Sequence, residues 1–295
     1  MGQVLVLGVL SGGIYALFAV GIVLVYRGSG VLNFAQGEVG TAGLFLATWL
    51  VVDHHLPWIV GALGAVALAT AIGVAFERFV VRRMGDAARV SVAVATVGLL
   101  LFVSAVEAVV FKLGGKPRSI PGPLSGAGTK IAGVVVSPTQ MVSLVVALGV
   151  GVALAVLLRR TDFGLGVLAA AQDSSAARLV GVPVHRVAAF VWGMGAALST
   201  IGCLLIAPGL GAFSVGAVSR LFLFGLAAAV LGGLSSLPGA FAGGLIIGVV
   251  EAGAGRVFES SSLPGVKTLA VFVLLLVTLL LRPDGLFGGA TRGTR

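Results

Sequence analysis

The sequence predicts an all-α protein that folds as a polytopic bundle of transmembrane helices. Apolar stretches recur along almost the whole chain, beginning with residues 4–26. A helix rises about 1.5 Å per residue and needs about 20 apolar residues to cross the hydrocarbon core, so this stretch is long enough. Composition agrees: 58% of the 295 residues are hydrophobic, only 10% are charged, and the mean hydropathy is +1.16.

Eight further apolar segments follow the first, which gives about nine candidate spans. Two of them, 38–52 and 221–236, are short, and such runs are typical also of tilted, re-entrant or half-helices. Eight complete crossings are therefore an open alternative to nine. The other segments are 57–76, 90–111, 140–158, 187–207, 238–255 and 265–281.

Arginine residues between the spans predict the orientation, because short loops rich in Lys and Arg stay in the cytoplasm. With nine crossings, three arginine-rich regions fall on one side, which makes the C-terminus cytoplasmic. The loop 112–139, with Lys112, Lys116, Arg118 and Lys130, is a basic exception on the opposite side, where its length and its Pro and Gly content favour translocation. The three regions hold Arg78, Arg82, Arg83 and Arg89; Arg159, Arg160, Arg178 and Arg186; and Arg282, Arg292 and Arg295.

Composition and motifs exclude several functional classes. The formal net charge is +9, but the basic residues lie between apolar segments and form no single stripe of the kind that binds nucleic acid. The sequence lacks a phosphate-binding G-x-x-x-x-G-K-[ST] motif, and His54 and His55 are adjacent, without metal-ligand spacing. We expect no bound cofactor or metal, and any energy source must lie on another protein.

Glycine supplies 46 of the 295 residues, about twice the usual share. Small residues spaced four apart let helices approach closely in lipid, where the hydrophobic effect does not drive helices together. This high glycine content predicts a compact bundle of several helices. Pairs with this spacing are Gly8 and Gly12, Gly239 and Gly243, and Gly244 and Gly248.

The first of three polar segments, VLNFAQGE at 31–38, lies between two apolar spans. Asn33 and Gln36 would share one face of a helix, and Gly37 permits a break. A broken helix at membrane depth exposes backbone groups only where it lines a cavity or a solute path, so Asn33, Gln36 and Glu38 are candidate substrate-path residues. The alternative is a cytoplasmic loop in which Glu38 stabilises the N-terminus of the following helix.

The second polar segment is the loop 159–186. Asp173 is a good N-cap, the residues 174–180 can form two helical turns, and Gly181 suits the left-handed conformation that ends a helix. The sequence therefore predicts a short helix outside the membrane. It is either a solvated connector or a docking element, and its marginal length favours a partner surface that holds it.

The third segment, LGGLSSLPGAFAGG at 231–244, contains a helix-breaking proline and several glycines. Pro238 interrupts any continuous helix, and the glycines permit tight reversals. We expect a turn between two short helices. The alternative is that the segment is only a hairpin turn.

Together these segments resemble the permease subunits of branched-chain amino acid ABC importers, of the LivH type. The NFAQGE run, the AAAQDSSAARLVGV loop and the LGGLSSLPGAFAGG turn followed by Glu251 stand in the family's order. The resemblance covers nearly the whole chain. It implies one permease domain over 1–295, in the bacterial inner membrane, with an EAA-like coupling loop at about 159–186.

The resemblance also implies partners. These are a second, LivM-like permease, two cytoplasmic ATPases of the LivG and LivF kind, and an extracytoplasmic substrate-binding protein. ATP would be bound by the ATPases and no cofactor by this chain, while Asp173, Arg178 and Gly181 would sit in the loop that docks on the ATPase. Two positions depart from the family pattern: many members have His at Gln36, and the coupling loop begins with Ala169 where Glu is usual.

Other transport classes stay open at this point. A secondary transporter driven by an ion gradient usually has an ionisable group within a span, and Glu107 is the clearest one here. A passive channel would need neither partner nor ATP. Related permeases serve urea, short amides or other amino acids, and resemblance at the level of the fold does not choose among these substrates. A homodimer of this chain is a further possibility.

Overall fold

A computed structural model describes residues 2–85, 88–111, 117–124, 126–131, 133–215, 219–258 and 265–288. Four of the basic residues used above to predict the orientation lie outside these ranges. They are Lys112, Lys116, Arg292 and Arg295.

Twelve α-helices and one antiparallel hairpin form the described part of the chain. The helices are α1 Gly2–Ser29, α2 Gln36–Thr48, α3 Trp58–Phe76, α4 Arg82–Met84, α5 Arg89–Val110, α6 Pro138–Arg160, α7 Asp162–Gln172, α8 Ser174–Leu179, α9 Val184–Leu210, α10 Ser219–Gly232, α11 Leu237–Val257 and α12 Val266–Leu281. A π-helical turn, Trp49–Asp53, extends α2, and a second one, Glu77–Val81, joins α3 to α4. The hairpin pairs β1 Thr129–Ile131 with β2 Val134–Val136.

Each of the nine predicted segments coincides with a helix, and the all-α membrane bundle is confirmed. Six helices are long and apolar enough to cross a bilayer, and two more, α10 and α12, are apolar but shorter. The six are Gly2–Ser29, Trp58–Met84, Arg89–Val110, Pro138–Arg160, Val184–Leu210 and Leu237–Val257. Helix α7, which occupies much of the loop 159–186, was not predicted from the sequence.

Helix α1 lies in the centre of the bundle, and most of its residues from Gly8 to Val25 are buried. Its closest neighbour is α11, and glycines from two of the small-residue pairs form the crossing. A Cβ on Gly8 would lie 2.5 Å from the Cα of Val249, and one on Gly12 would lie 2.8 Å from the Cα of Leu245. Gly244 and Gly248 face α1 from the other side, so the glycine spacing sets how closely these two helices approach.

The bundle has two distinct ends. At the end that we call the arginine end, Arg82 forms an ion pair of 2.8 Å with the buried Glu77 and donates a hydrogen bond to the carbonyl of His185. These contacts join the end of α3 to the beginning of α9. The joint agrees with the prediction that the arginine-rich loops lie on one side.

At the opposite end, which we call the hairpin end, Gln3 donates a hydrogen bond to the carbonyl of Gly133 in the hairpin. Arg118 pairs with Phe213 through two backbone hydrogen bonds and forms a bidentate contact of 2.7 and 2.9 Å with Asp53. The Arg118 guanidinium holds the pKa of Asp53 below its usual value. The loop that contains Arg118 is thereby fixed to the ends of α2 and α9.

Candidate functional site

The residues predicted for the substrate path lie where α1 gives way to α2. Residues 30–35 form a non-helical stretch between the two helices, and Gly30 has a positive φ of 71°. Asn33 is 4% exposed, and its Oδ1 accepts a hydrogen bond from the backbone N–H of Ala35. Asn33 is therefore packed within the bundle at the break between the two helices.

Gln36, the first residue of α2, is completely buried. Its side chain fits between two glycines: a Cβ on Gly21 of α1 would lie 2.6 Å from its Nε2, and one on Gly195 of α9 would lie 3.7 Å from its Oε1. Neither Nε2 nor Oε1 has a hydrogen-bond partner among the described residues. A buried amide without partners is costly, and a group of this kind calls for an explanation beyond packing.

Glu38 lies in the first turn of α2, as the sequence predicts, and is 2% exposed. Its Oε1 accepts a hydrogen bond of 2.5 Å from the hydroxyl of Ser104 on α5. Glu107, one turn further along α5, is also buried. The three residues are each buried but have different neighbours: Gln36 lies against α1 and α9, whereas Glu38 contacts α5. Asn33 precedes α2, so it does not share a helix face with Gln36.

A large cleft of about 1500 Å³ opens at the hairpin end of the bundle. Residues of α1, α6, α9, α10, α11 and α12 line it. Tyr15 is 3% exposed, and its hydroxyl donates a hydrogen bond of 2.7 Å to Oε2 of Glu251 on α11. None of the three predicted path residues lines this cleft.

Glu251 and Tyr15 were not predicted as site residues, although Glu251 follows the third polar segment. One available signal was the carboxylate itself, because an ionisable residue within an apolar span is a functional-site hypothesis by default. Its partner was not recognisable, since Tyr15 precedes Glu251 by 236 positions. Only the packing of α1 on α11 brings the two side chains together.

The short helix predicted after Asp173 is present as α8. Asp173 caps it, with Oδ1 accepting hydrogen bonds of 2.8 and 3.0 Å from the N–H groups of Ser175 and Ala176. Gly181 follows with a φ of 86°, as the left-handed position requires. Arg178 and Gly181 are exposed at the surface, while Ala177 is 3% exposed and anchors the helix.

Two apolar side chains at the end of α8 face outward. Leu179 is 89% exposed and Val180 is 78% exposed. Both lie at the arginine end, since α8 immediately precedes the α9 residue His185 that Arg82 contacts. Together they form a small exposed apolar surface beside Arg178.

The third polar segment forms the predicted turn, although α11 after it has 21 residues and is not short. Pro238 stands in the first turn of α11, and the hydroxyl of Ser236 caps that helix by accepting from the N–H of Gly239. The chain beyond α12 returns to this turn, where Leu286 N–H donates to the carbonyl of Leu231.

Comparison with known proteins gives matches over nearly the full chain. The family described as "Branched-chain amino acid transport system / permease component" matches residues 4–281. The high-affinity branched-chain amino acid transport system permease protein BraD of Pseudomonas aeruginosa is 31% identical, over 97% of this chain and 95% of that protein. LivH of Escherichia coli K12 is 29% identical over 95% and 93%, and a probable LivH of Methanocaldococcus jannaschii is 25% identical over 98% and 93%.

Among solved structures, a chain of PsaBC from Streptococcus pneumoniae in complex with Fab has a similar fold. The TM-score is 0.51 with 12% sequence identity, over 94% of this chain and 91% of that chain. At this identity the similarity concerns the fold alone. The family match is decisive: the chain belongs to the permease components of branched-chain amino acid transport systems and is a transport subunit, not an enzyme.

Proposed function

We propose that this chain, as a single permease domain over residues 1–295, imports branched-chain amino acids with energy from ATP. The observation that supports this most strongly is the match to named branched-chain amino acid permeases over nearly the whole chain. The chain itself binds no cofactor in this proposal. ATP is bound and hydrolysed by separate subunits.

The proposed assembly contains this chain, a second LivM-like permease, two cytoplasmic ATPases of the LivG and LivF kind and an extracytoplasmic binding protein. We place it in the bacterial inner membrane, with the arginine end and the C-terminus in the cytoplasm. The distribution of Arg and Lys supports this orientation, as does the contact that joins Arg82 to the α9 end of the coupling segment.

Asp173, Arg178 and Gly181 belong to the proposed coupling element. Asp173 caps α8, Gly181 ends it, and Arg178 presents a positive charge beside the exposed Leu179. ATP binding and hydrolysis on the partner then move α8 as a rigid body. This movement shifts the membrane-spanning helices between inward-open and outward-open states.

Asn33, Gln36 and Glu38 are proposed to contact the substrate path. The unpartnered amide of Gln36 supports this role. Its burial without hydrogen bonds costs free energy, and a hydrogen bond to a polar group of the substrate would offset that cost. Helix α10 connects this region with the cleft: Phe222 packs on Gly37, while the ring of Phe224 contacts Tyr15 at 5.2 Å between centroids.

Replacing Gln36 with Met tests the path. Met has a similar length and no polar atoms, so the cost of burying an unpaired amide disappears. We expect an unfolding temperature equal to or above that of the wild type, together with about a tenfold loss of uptake, which corresponds to about 1.4 kcal/mol. Unchanged uptake in a stable Gln36→Met protein would contradict a role for Gln36 in the path.

Transport by the reconstituted assembly tests the proposed function itself. This chain and its partner subunits are reconstituted in proteoliposomes. The vesicles receive binding protein, radiolabelled L-leucine and ATP, which is placed either inside or outside the vesicles. We expect uptake that requires ATP and the binding protein and that vanadate abolishes. Uphill uptake by this chain alone on an ion gradient, or uptake of urea in place of leucine, would overturn the proposal.

A further inference from the structure

We infer that the cleft at the hairpin end is a binding site for the zwitterion of an aliphatic amino acid, with Glu251 receiving the ammonium group. This inference rests on the proposed function and specifies the chemistry by which the permease recognises its substrate. It concerns a site that the sequence analysis did not assign.

The carboxylate of Glu251 is held in one position. Tyr15 donates to one of its oxygens at 2.7 Å and is itself buried at 3% exposure. Tyr15 lies 13 residues beyond the first residue of α1, which places it about 20 Å along that helix. The phenol of Tyr15 reaches from there to Glu251, which lies six residues before the end of α11, about 9 Å from it. Among the described residues the other oxygen of Glu251 accepts no hydrogen bond, so it can receive one from a ligand.

Two cationic side chains lie nearer the mouth of the cleft. Arg256 stands at the outer end of α11 and donates a hydrogen bond to Oε1 of Gln3. Lys267 of α12 lies against Gly255, one helical turn beyond Glu251, where a Cβ would be 2.7 Å from Lys267 Cε. No ion pair joins Glu251 to either cation among the residues that the structure describes. The carboxylate of Glu251 would attract the ammonium group of an amino acid, and the two cationic side chains would attract its carboxylate.

Part of the cleft wall is apolar, and polar residues such as Ser11, Gln140 and Ser143 line the rest. The apolar part suits a branched aliphatic side chain, whereas urea and short amides carry no charge for Glu251 to meet and little apolar surface to bury. The geometry therefore favours zwitterionic amino acids over neutral amides. The apolar wall is formed by Leu7, Leu10, Ile14, Leu205, Leu221 and Phe224.

Protection of a cysteine in the cleft tests this inference. The native sequence has one cysteine, Cys203, which is buried, so a Ser11→Cys variant presents a single reactive thiol in the cleft. The rate of its modification by a charged maleimide is measured in the assembled transporter, without binding protein, with and without L-leucine. At a leucine concentration ten times its Kd, the rate should fall about tenfold.

Three comparisons make the result specific. The acid 4-methylpentanoate and the amide 4-methylpentanamide, which lack the ammonium group, should give no protection. Glu251→Gln should remove the protection by leucine, with the rate in leucine compared with that variant's own rate without ligand. Modification of the variant in the absence of ligand shows that the cleft is still accessible. A Thr129→Cys control in β1, an exposed residue outside the cleft lining, should be modified at the same rate with and without leucine.

The possible outcomes separate the inference from the proposed function. Absence of protection in an assembly that imports leucine would overturn the cleft as the amino acid site and leave the function standing. Equal protection by the amide, or protection that survives Glu251→Gln, would also overturn it. Protection that depends on Glu251, in an assembly that does not import leucine, would support the site and contradict the function.

Discussion

A Leu179→Asp variant is expected to lose ATP-driven uptake while the permease remains folded and in the membrane. Leu179 is 89% exposed at the end of α8, so its replacement removes little packing within this chain. If the side chain anchors the helix on the ATPase, a charge there must be desolvated against an apolar pocket. The loss of one such anchor is worth about 2 kcal/mol, which weakens subunit binding about 30-fold.

Two measurements check this result. Uptake of leucine by proteoliposomes should fall to background, and the ATPase subunits should no longer co-purify with the permease. A Val90→Asp variant is the matched control, because Val90 is 73% exposed at the beginning of α5, where an acidic residue favours the helix dipole. Full uptake by the Leu179→Asp variant would contradict the proposal that α8 couples the permease to the ATPase.

A Gly248→Leu variant is expected not to assemble the bundle at all. A side chain at this position would overlap the backbone of Gly8 and Gly12 across the crossing of α1 and α11. Non-bonded carbon atoms need about 3.5–4.0 Å, and backbone atoms cannot turn aside as a flexible side chain can. Overpacking commonly costs about 1–3 kcal/mol, and here the central helix would have to move, so we expect a larger effect.

The yield of monodisperse protein in detergent and its unfolding temperature check this expectation. Gly149→Leu provides the matched control, since Gly149 on α6 is exposed and has no atom within 4 Å of a built Cβ. That variant should purify and unfold like the wild type. If Gly248→Leu also does so, the close approach of α1 and α11 is not what holds the bundle together.

The local elements of this protein were predictable because short-range physics determines them. An apolar run of sufficient length must form a helix in a bilayer, since no water is present to satisfy its backbone groups. The cap at Asp173 and the reversal at Gly181 depend on residues only a few positions apart, and both are present. The proposed cytoplasmic position of the arginine-rich loops likewise rests on a local property, their charge.

The sites depend on contacts between distant parts of the chain, and these were not predictable from the sequence. That Gln36 lies between Gly21 and Gly195 and has no hydrogen-bond partner follows from how α1, α2 and α9 meet. Spacing predicted that Asn33 and Gln36 share a helix face, which they do not, because Asn33 precedes α2. It left open whether the segment was solvated or buried.

The sequence by itself determined a bundle of apolar helices, the family to which it belongs and the short capped helix at one end. Only the tertiary structure decided that Tyr15 contacts Glu251 and that a cleft opens beside them at the hairpin end. The physical reason is that helix formation in lipid depends on local composition. The position of a side chain in a cleft depends on which glycines let two remote helices approach.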